Sequence, residues 1–310
     1  MSKRYSFSAS AVGFSAHVRR PDDVLIKSQA ASAIGSTGGL SSTRASDSRF
    51  FKGSVCFGKA VSSCEGEYRP AKDAAKFTDG NHGDNDLPAV TRVTSAVSGV
   101  AIINAKDTKA PKRKLTIKKA CFDLEIFDPR TGGRQSEFTL DPKKLILDKV
   151  SIDGCLLRIT FATDLFNEFK TQDALKAAWE GDQEFAAKYG HLFEPIGECH
   201  TREFPATRYG GTLATVVHKV EWANPKKTAP DVTFEGANRV RIEGIGTLVL
   251  GELLITPKRR RLSMFRVELG SAYGGDAEGA TARVAASIPD SSNTRKTDSL
   301  RPWIASFCHV

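Results

Sequence analysis

The sequence is poor in the residues that most often announce a function. It has two methionines, three tryptophans and six histidines in 310 residues. No apolar run approaches the length of about 18 residues that a membrane-spanning helix needs. The opening "MSKRYSFSAS" has two basic residues but no apolar core behind them, so no secretory signal is visible and a cytoplasmic location is expected. The six cysteines (Cys56, Cys64, Cys121, Cys155, Cys199 and Cys308) are scattered and never occur as CxxC. That spacing excludes a dense disulfide framework and reads as buried free thiols in a reducing compartment. A Cys56–Cys64 bridge across a hairpin is the alternative in a secreted protein.

Catalytic signatures are missing as well. There is no GxSxG, and neither "GSTGG" nor "GIGTLVLGE" opens a helix after a strand or carries a lysine in P-loop register. Zinc requires three or four converging soft ligands. His191, Cys199, His200 and His218 lack the paired short spacings that would supply them, and adjacent residues of a strand point to opposite faces. Any two strands could bring a carboxylate pair together, and Asp123 with Glu125 and Glu243 with Glu252 are acid–base candidates only in that they lie in strands. Asp123 and Glu125 share a phase opposite to Phe122 and Leu124, which makes a solvated sheet face the simpler explanation. No cofactor is expected, and the balance tilts away from an enzyme.

Alternation is what the sequence does have. In "YSFSASAVGFSAHV", Tyr5, Phe7, Ala9 and Ala11 fall on one face and the serines on the other, the period of a half-buried strand. After Gly13 the apolar set moves to Phe14, Ala16 and Val18. A one-residue slip exchanges the faces of a strand, so a bulge or bend is expected at Gly13. "KLTIKKACFDLEIF" slips in the same way, from Leu115 and Ile117 to Ala120, Phe122, Leu124 and Ile126, with Lys118–Lys119 at the break. Asp153–Gly154 joins two further strands as a tight hairpin.

The pattern predicts a mainly β protein, either a β-solenoid or a β-sandwich-like body, with a short α-helical insertion at about 163–193. The insertion shows helical stripes (Leu165, Phe166 and Phe169; Leu175, Ala178 and Trp179; Phe185, Ala186 and Tyr189). Asp182 suits an N-cap, and Gly181 and Gly190 suit C-caps. It carries six acidic and three basic residues, and covering a sheet edge is the expected role. Residues 1–162 and 194–271 then form two parts of one β body. From 272 to 310 periodicity fades into a low-complexity tail expected to be disordered, with Trp303 as a docking point.

The net charge of +9 is local. Residues 106–119 hold seven basic residues and one acidic, and residues 257–266 hold five basic and none acidic, so the rest of the chain is slightly acidic. Lys112, Arg113 and Lys114 lead into one strand, while Lys258, Arg259, Arg260 and Arg261 are placed at a hairpin tip. Both clusters are candidates for contacting a polyanion, either nucleic acid or a sulfated or phosphorylated polymer. Aromatic interleaving is absent around Lys112, and solvated turns that protect strand edges are the plainer reading. Three functions follow: a non-catalytic structural or assembly protein that forms homo-oligomers through its acidic helices and basic tips, a polyanion-binding module, or a carbohydrate-active enzyme with paired carboxylates in a β groove.

Overall fold

The computed structural model describes residues 6–18, 24–50, 53–68, 88–104, 112–129, 135–193, 204, 211–256, 259–270 and 275–287. Six long strands come first: β1 (Ser6–Val18), β2 (Val24–Ile34), β3 (Gly39–Phe50), β4 (Val55–Tyr68), β5 (Ala89–Ile103) and β6 (Lys114–Asp128). Three shorter ones follow: β7 (Glu137–Leu140), β8 (Ile146–Ile152) and β9 (Cys155–Phe161). Helices α1 (Thr163–Glu168), α2 (Gln172–Gly181) and α3 (Gln183–Tyr189) lead to a 3-10 turn at Gly190–Leu192. The remaining strands are β10 (Thr212–Thr215), β11 (Val217–Trp222), β12 (Val232–Glu235), β13 (Arg239–Ile242), β14 (Gly246–Ile255), β15 (Arg259–Leu269) and β16 (Gly275–Ser287). Strands make up 68 % of the described residues and helices 12 %, which makes the protein mainly β.

The strands form two antiparallel sheets. One runs β12-β13-β14-β15-β16-β1-β2, with β10 also on β14; the other runs β11-β9-β8-β6-β5-β4-β3, with β7 on β6. β1 and β2 pack over β4 and β5, and β16 over β5 and β6. A single large apolar cluster fills the space between them, with Phe14 of one sheet 5.2 Å from Phe57 of the other between ring centroids. At one side the edge strands β2 and β3 meet through Thr43, whose hydroxyl donates to the Ala31 carbonyl at 2.7 Å. At the other, Trp222 of β11 stacks edge-on against Phe234 of β12 at 5.5 Å. Between β10 and β11 the chain changes sheet: the Val216 N–H donates to Gly251 of β14, and its carbonyl accepts from Ala162 just after β9, both at 2.8 Å.

The slip expected at Gly13 is present, and it is not confined to β1. Phe7, Ala9 and Ala11 are buried before it and Phe14, Ala16 and Val18 after it. Gly13 lies opposite Ala30 of β2 and Ala280 of β16; Ala280 lies opposite Met264 of β15, and Met264 opposite Gly251 of β14. Ladder pairing lapses at this level along the row, and φ is positive at Ala30, Ala280 and Gly251, on every second strand. The second sheet has its own row: Gly58, Gly99, Lys118 and Lys149 on β4, β5, β6 and β8, with positive φ at Gly99 and Lys149. Each sheet is therefore creased along one line across its strands.

A crease turns backbone carbonyls away from ladder partners, and buried carbonyls need donors. The inner serines and threonines supply them. The Ser62 hydroxyl of β4 donates to the Ala30 carbonyl, Ser95 of β5 donates to Val12 at 3.0 Å, and Thr215 donates to Leu250 at 3.1 Å. All three are buried. The small polar residues of this chain thus include an interior set, in which Ser62 and Ser95 hydrogen-bond across the two sheets and Thr215 does so within the first.

Helices occupy the expected segment, and they cover an edge. The Asn167 side chain pairs with the free side of β7, accepting from the Leu140 N–H and donating to its carbonyl at 3.0 Å each; the Phe138 N–H donates to Lys170 at 3.1 Å. Asp182 caps α3 by accepting from Glu184 at 2.8 Å, and Thr171 caps α2. Gly181 and Gly190 do not adopt the left-handed cap expected of them: Gly190 has φ −55° and Gly181 ends α2 within the helix.

Three further expectations are corrected. Residues 275–287, assigned to a disordered tail, form β16, which pairs with β1 and β15 along its length; residues 288–310, including Trp303, lie outside the described residues. Cys56 and Cys64 sit on the same strand eight positions apart, roughly 26 Å at a strand's rise, and both are free thiols. A disulfide needs Cα atoms within about 7 Å. Asp123 is buried on the outer face of β6, not solvated, because Lys144 reaches over it with Nζ 2.6 Å from its carboxylate. Among the described residues no helix is long and apolar enough to cross a membrane.

Candidate functional site

The two basic clusters are not brought together. Lys112–Lys114 lie at the start of β6, whereas Arg260 contacts Ser136 and Phe138 beside the end of β6 near Ile126. Thirteen strand residues separate the two positions, on the order of 40 Å.

Within the first cluster Lys112 and Lys114 are exposed, and Arg113 is buried. The Arg113 guanidinium donates to Asp153 in the β8–β9 hairpin at 2.9 Å and to Asp231 ahead of β12 at 2.5 Å. It ties the margins of the two sheets together. In the second cluster Arg259 to Arg261 belong to β15 itself and not to a hairpin tip; Lys258 lies outside the described residues. Alternation along the strand exposes Arg259 and turns Arg260 inward. Arg260 is 2 % exposed, donates to the carbonyls of Arg259 and Ser136, and lies over the Phe138 ring at 5.2 Å. Burial lowers its pKa to about 10, so it keeps its charge at neutral pH. Arg261 is half-buried and pairs with Glu278 at 2.8 Å.

A cleft among the described residues lies elsewhere, where β14 changes partners. β13 pairs with β14 up to Val249, and β10 begins at Glu252. The crease residue Gly251 sits between them, with φ +61°; an added Cβ there would meet Val216 and Val217 at 2.8 Å. Leu250 is held on both sides of this gap. Its N–H donates to the Asn238 carbonyl at 2.9 Å, while its carbonyl accepts from the Asn238 side chain at 2.8 Å and from Thr215. This hydrogen-bonded frame borders an open cavity of about 410 Å³.

Glu252 and Val249 line this cavity from β14, Glu235 and Arg239 from the β12–β13 hairpin, and His191 and Phe193 from the end of the helical segment. Glu252 is ion-paired with Arg266 at 2.7 Å, and Arg266 also binds Glu268. Glu235 is exposed and has no ion pair among the described residues. The His191 ring stands edge-on to that of His218 at 5.0 Å. Burial, and then the charge of His218, lower the His191 pKa below its ordinary value. Phe193 is backed by Trp179 at 5.3 Å.

Of the carboxylates singled out in the sequence, Glu252 is in the cleft, whereas Glu243 is exposed in the turn after β13. Asp123 and Glu125 share Arg92 of the neighbouring strand β5, in the sheet that does not hold the cleft. Glu235 and Arg239 were not legible as site residues: they are joined to Glu252 only by the pairing of three strands. Of the four possible metal ligands, His191 and His218 meet, while Cys199 and His200 lie outside the described residues. No group of three metal-binding side chains occurs among the described residues.

The chain matches no family model, no curated protein and no solved structure. The functional reading therefore rests on its own geometry.

Proposed function

We propose that this chain is a non-catalytic β-rich structural or assembly protein that associates with copies of itself, its two sheets packed as a sandwich-like body. Antiparallel pairing throughout both ladders favours a sandwich over a solenoid, whose stacked coils would lie side by side in parallel. One observation carries the functional reading: three of the four arginines of the basic clusters serve the fold. Arg113 joins two hairpin margins, Arg260 is buried against Phe138, and Arg261 is paired with Glu278. A surface evolved to neutralise a polymer would leave such groups in solvent, where phosphates reach them. The exposed remainder (Lys112, Lys114 and Arg259) and the acidic helices offer charges of opposite sign for contacts between copies.

Sedimentation velocity over a wide concentration range, at low and high salt, tests this reading. The expected result is a concentration-dependent multimer that salt weakens; a single monomeric species under all conditions overturns it. The polyanion reading is separated by heparin chromatography. Elution at low salt agrees with assembly. Tight retention, lost on changing Lys112, Lys114 and Arg259 to Glu, would replace assembly with polymer binding.

A further inference from the structure

We propose that the outer face of β15 and β16, where Arg259, Arg261 and Arg283 lie, docks the acidic α2–α3 junction of a second copy of this chain. The contact rests on the self-association reading and names the surfaces that association would use.

Strand register gathers the three arginines. Arg261 lies directly opposite Arg283 across the β15–β16 ladder. Arg259 shares the phase of Arg261 and lies opposite Ala285. On their other sides Arg261 is opposite Leu254 of β14 and Arg283 is opposite Ser10 of β1. No carboxylate therefore stands directly across from any of the three. Glu278, farther along β16, reaches Arg261 at 2.8 Å. Arg259 and Arg283 are exposed and make no ion pair among the described residues. Partial desolvation, and then the charge of Arg261, lower the Arg283 pKa, and Glu278 offsets only part of this. Like charges directly opposite one another destabilise a sheet, so this face gains from an anionic partner.

The chain carries a matching surface. Residues 180–184, where α2 ends and α3 begins, are all exposed and include Glu180, Asp182 and Glu184. Asp182 and Glu184 make no ion pair among the described residues, and Glu180 has Lys176 at 3.7 Å, an exposed pair of little strength. Guanidinium forks match carboxylates in shape as well as charge. The face is low where the junction would approach, since Ser8, Ser10 and Ala285 border the arginines. None of these cross-strand neighbours is aromatic, so the platform on which nucleic-acid bases stack is missing there. The two surfaces differ, so two copies make the contact twice about a two-fold axis, or many copies make it head to tail.

Sedimentation velocity on two charge-reversed proteins, separately and mixed, is the test. Arg259→Glu with Arg283→Glu makes the face acidic. Glu180→Arg with Glu184→Arg makes the junction basic and spares the Asp182 cap. All four side chains are exposed, and far-UV circular dichroism checks that both proteins fold. Each variant alone is expected to need about tenfold more protein than the parent to associate, and an equimolar mixture should associate as the parent does. The milder Arg283→Gln and Glu184→Gln should each weaken association by about threefold. Variants that associate like the parent, or a mixture that fails to recover association, overturn this contact while self-association of the parent stands. A parent that stays monomeric overturns both. Heparin retention that is lost in Arg259→Glu with Arg283→Glu while association persists would put a polyanion, not a second copy, on this face.

Discussion

Replacing Gly13 with alanine puts one methyl group where the two sheets and the crease converge. The added Cβ would lie 2.6 Å from the Cβ of Ala60 on the facing sheet and 3.2 Å from that of Ala30. The first contact falls 0.8 Å short of the 3.4 Å at which ordinary van der Waals contact begins. Neither neighbour has a flexible end to move, and Ala60 is fully buried. Overpacking of this kind costs about 1–3 kcal/mol, and the backbone gain of alanine over glycine returns about 0.5–1 kcal/mol. A net loss of about 1–2 kcal/mol in urea denaturation is expected. Ala60→Gly alone should cost about 1.5 kcal/mol, from one buried methylene-sized group and added chain entropy. The double variant moves a methyl across the gap, so its loss should fall short of the sum by about 1 kcal/mol or more. Gly35→Ala, with nothing within 4 Å of the added Cβ, is the control and should stay within about 0.5 kcal/mol of the parent. Additivity of the two substitutions within about 0.5 kcal/mol would refute the claim that the sheets meet at this point.

Three more outcomes follow from the same geometry. Ser62→Ala leaves the buried Ala30 carbonyl without its hydroxyl donor and should lower stability by about 1–2 kcal/mol, whereas Ser8→Ala on the exposed face should change it by less than about 0.5 kcal/mol; urea midpoints compare the two. Arg113→Ala strands Asp153 and Asp231 and removes the tie between hairpin margins; because both carboxylates are partly exposed, the expected loss is about 2 kcal/mol, against no measurable loss for Lys112→Ala. The lowered pKa of His191 means that the unfolded chain takes up its proton first as pH falls. Stability from this group is present above the unfolded histidine value of about 6.5 and declines as pH drops through the window below it. Thermal midpoints between neutral and mildly acidic pH should show that decline, and His191→Gln should reduce its slope.

Local features were legible where the signal is local. The exchange of faces at Gly13 and at Lys118–Lys119 needed only the order of apolar residues, and Asp153–Gly154 takes positive φ at both positions as its hairpin requires. β16 escaped because its inward residues are Ala277, Gly279, Ala282 and Val284, too small to announce a buried face. Its burial comes from β1 and β15, one of which lies at the other end of the sequence. Arg260 was recoverable in principle: counting back by two from the buried Leu262 turns it inward once the strand is begun at Arg259. The cleft had no comparable signature, since His191, Thr215, Glu235 and Glu252 are assembled by strand pairing across about 60 positions of sequence.

The creases carry a consequence for how this fold can change. Removing the extra residue from one strand would restore that strand's own alternation while leaving its neighbours offset, so half of its side chains would face the wrong way against an unaltered partner. Only coordinated deletions along an entire row could flatten a sheet. Single-residue gains and losses should therefore be confined to the connections, and the row behaves as a shared trait that no strand can discard by itself.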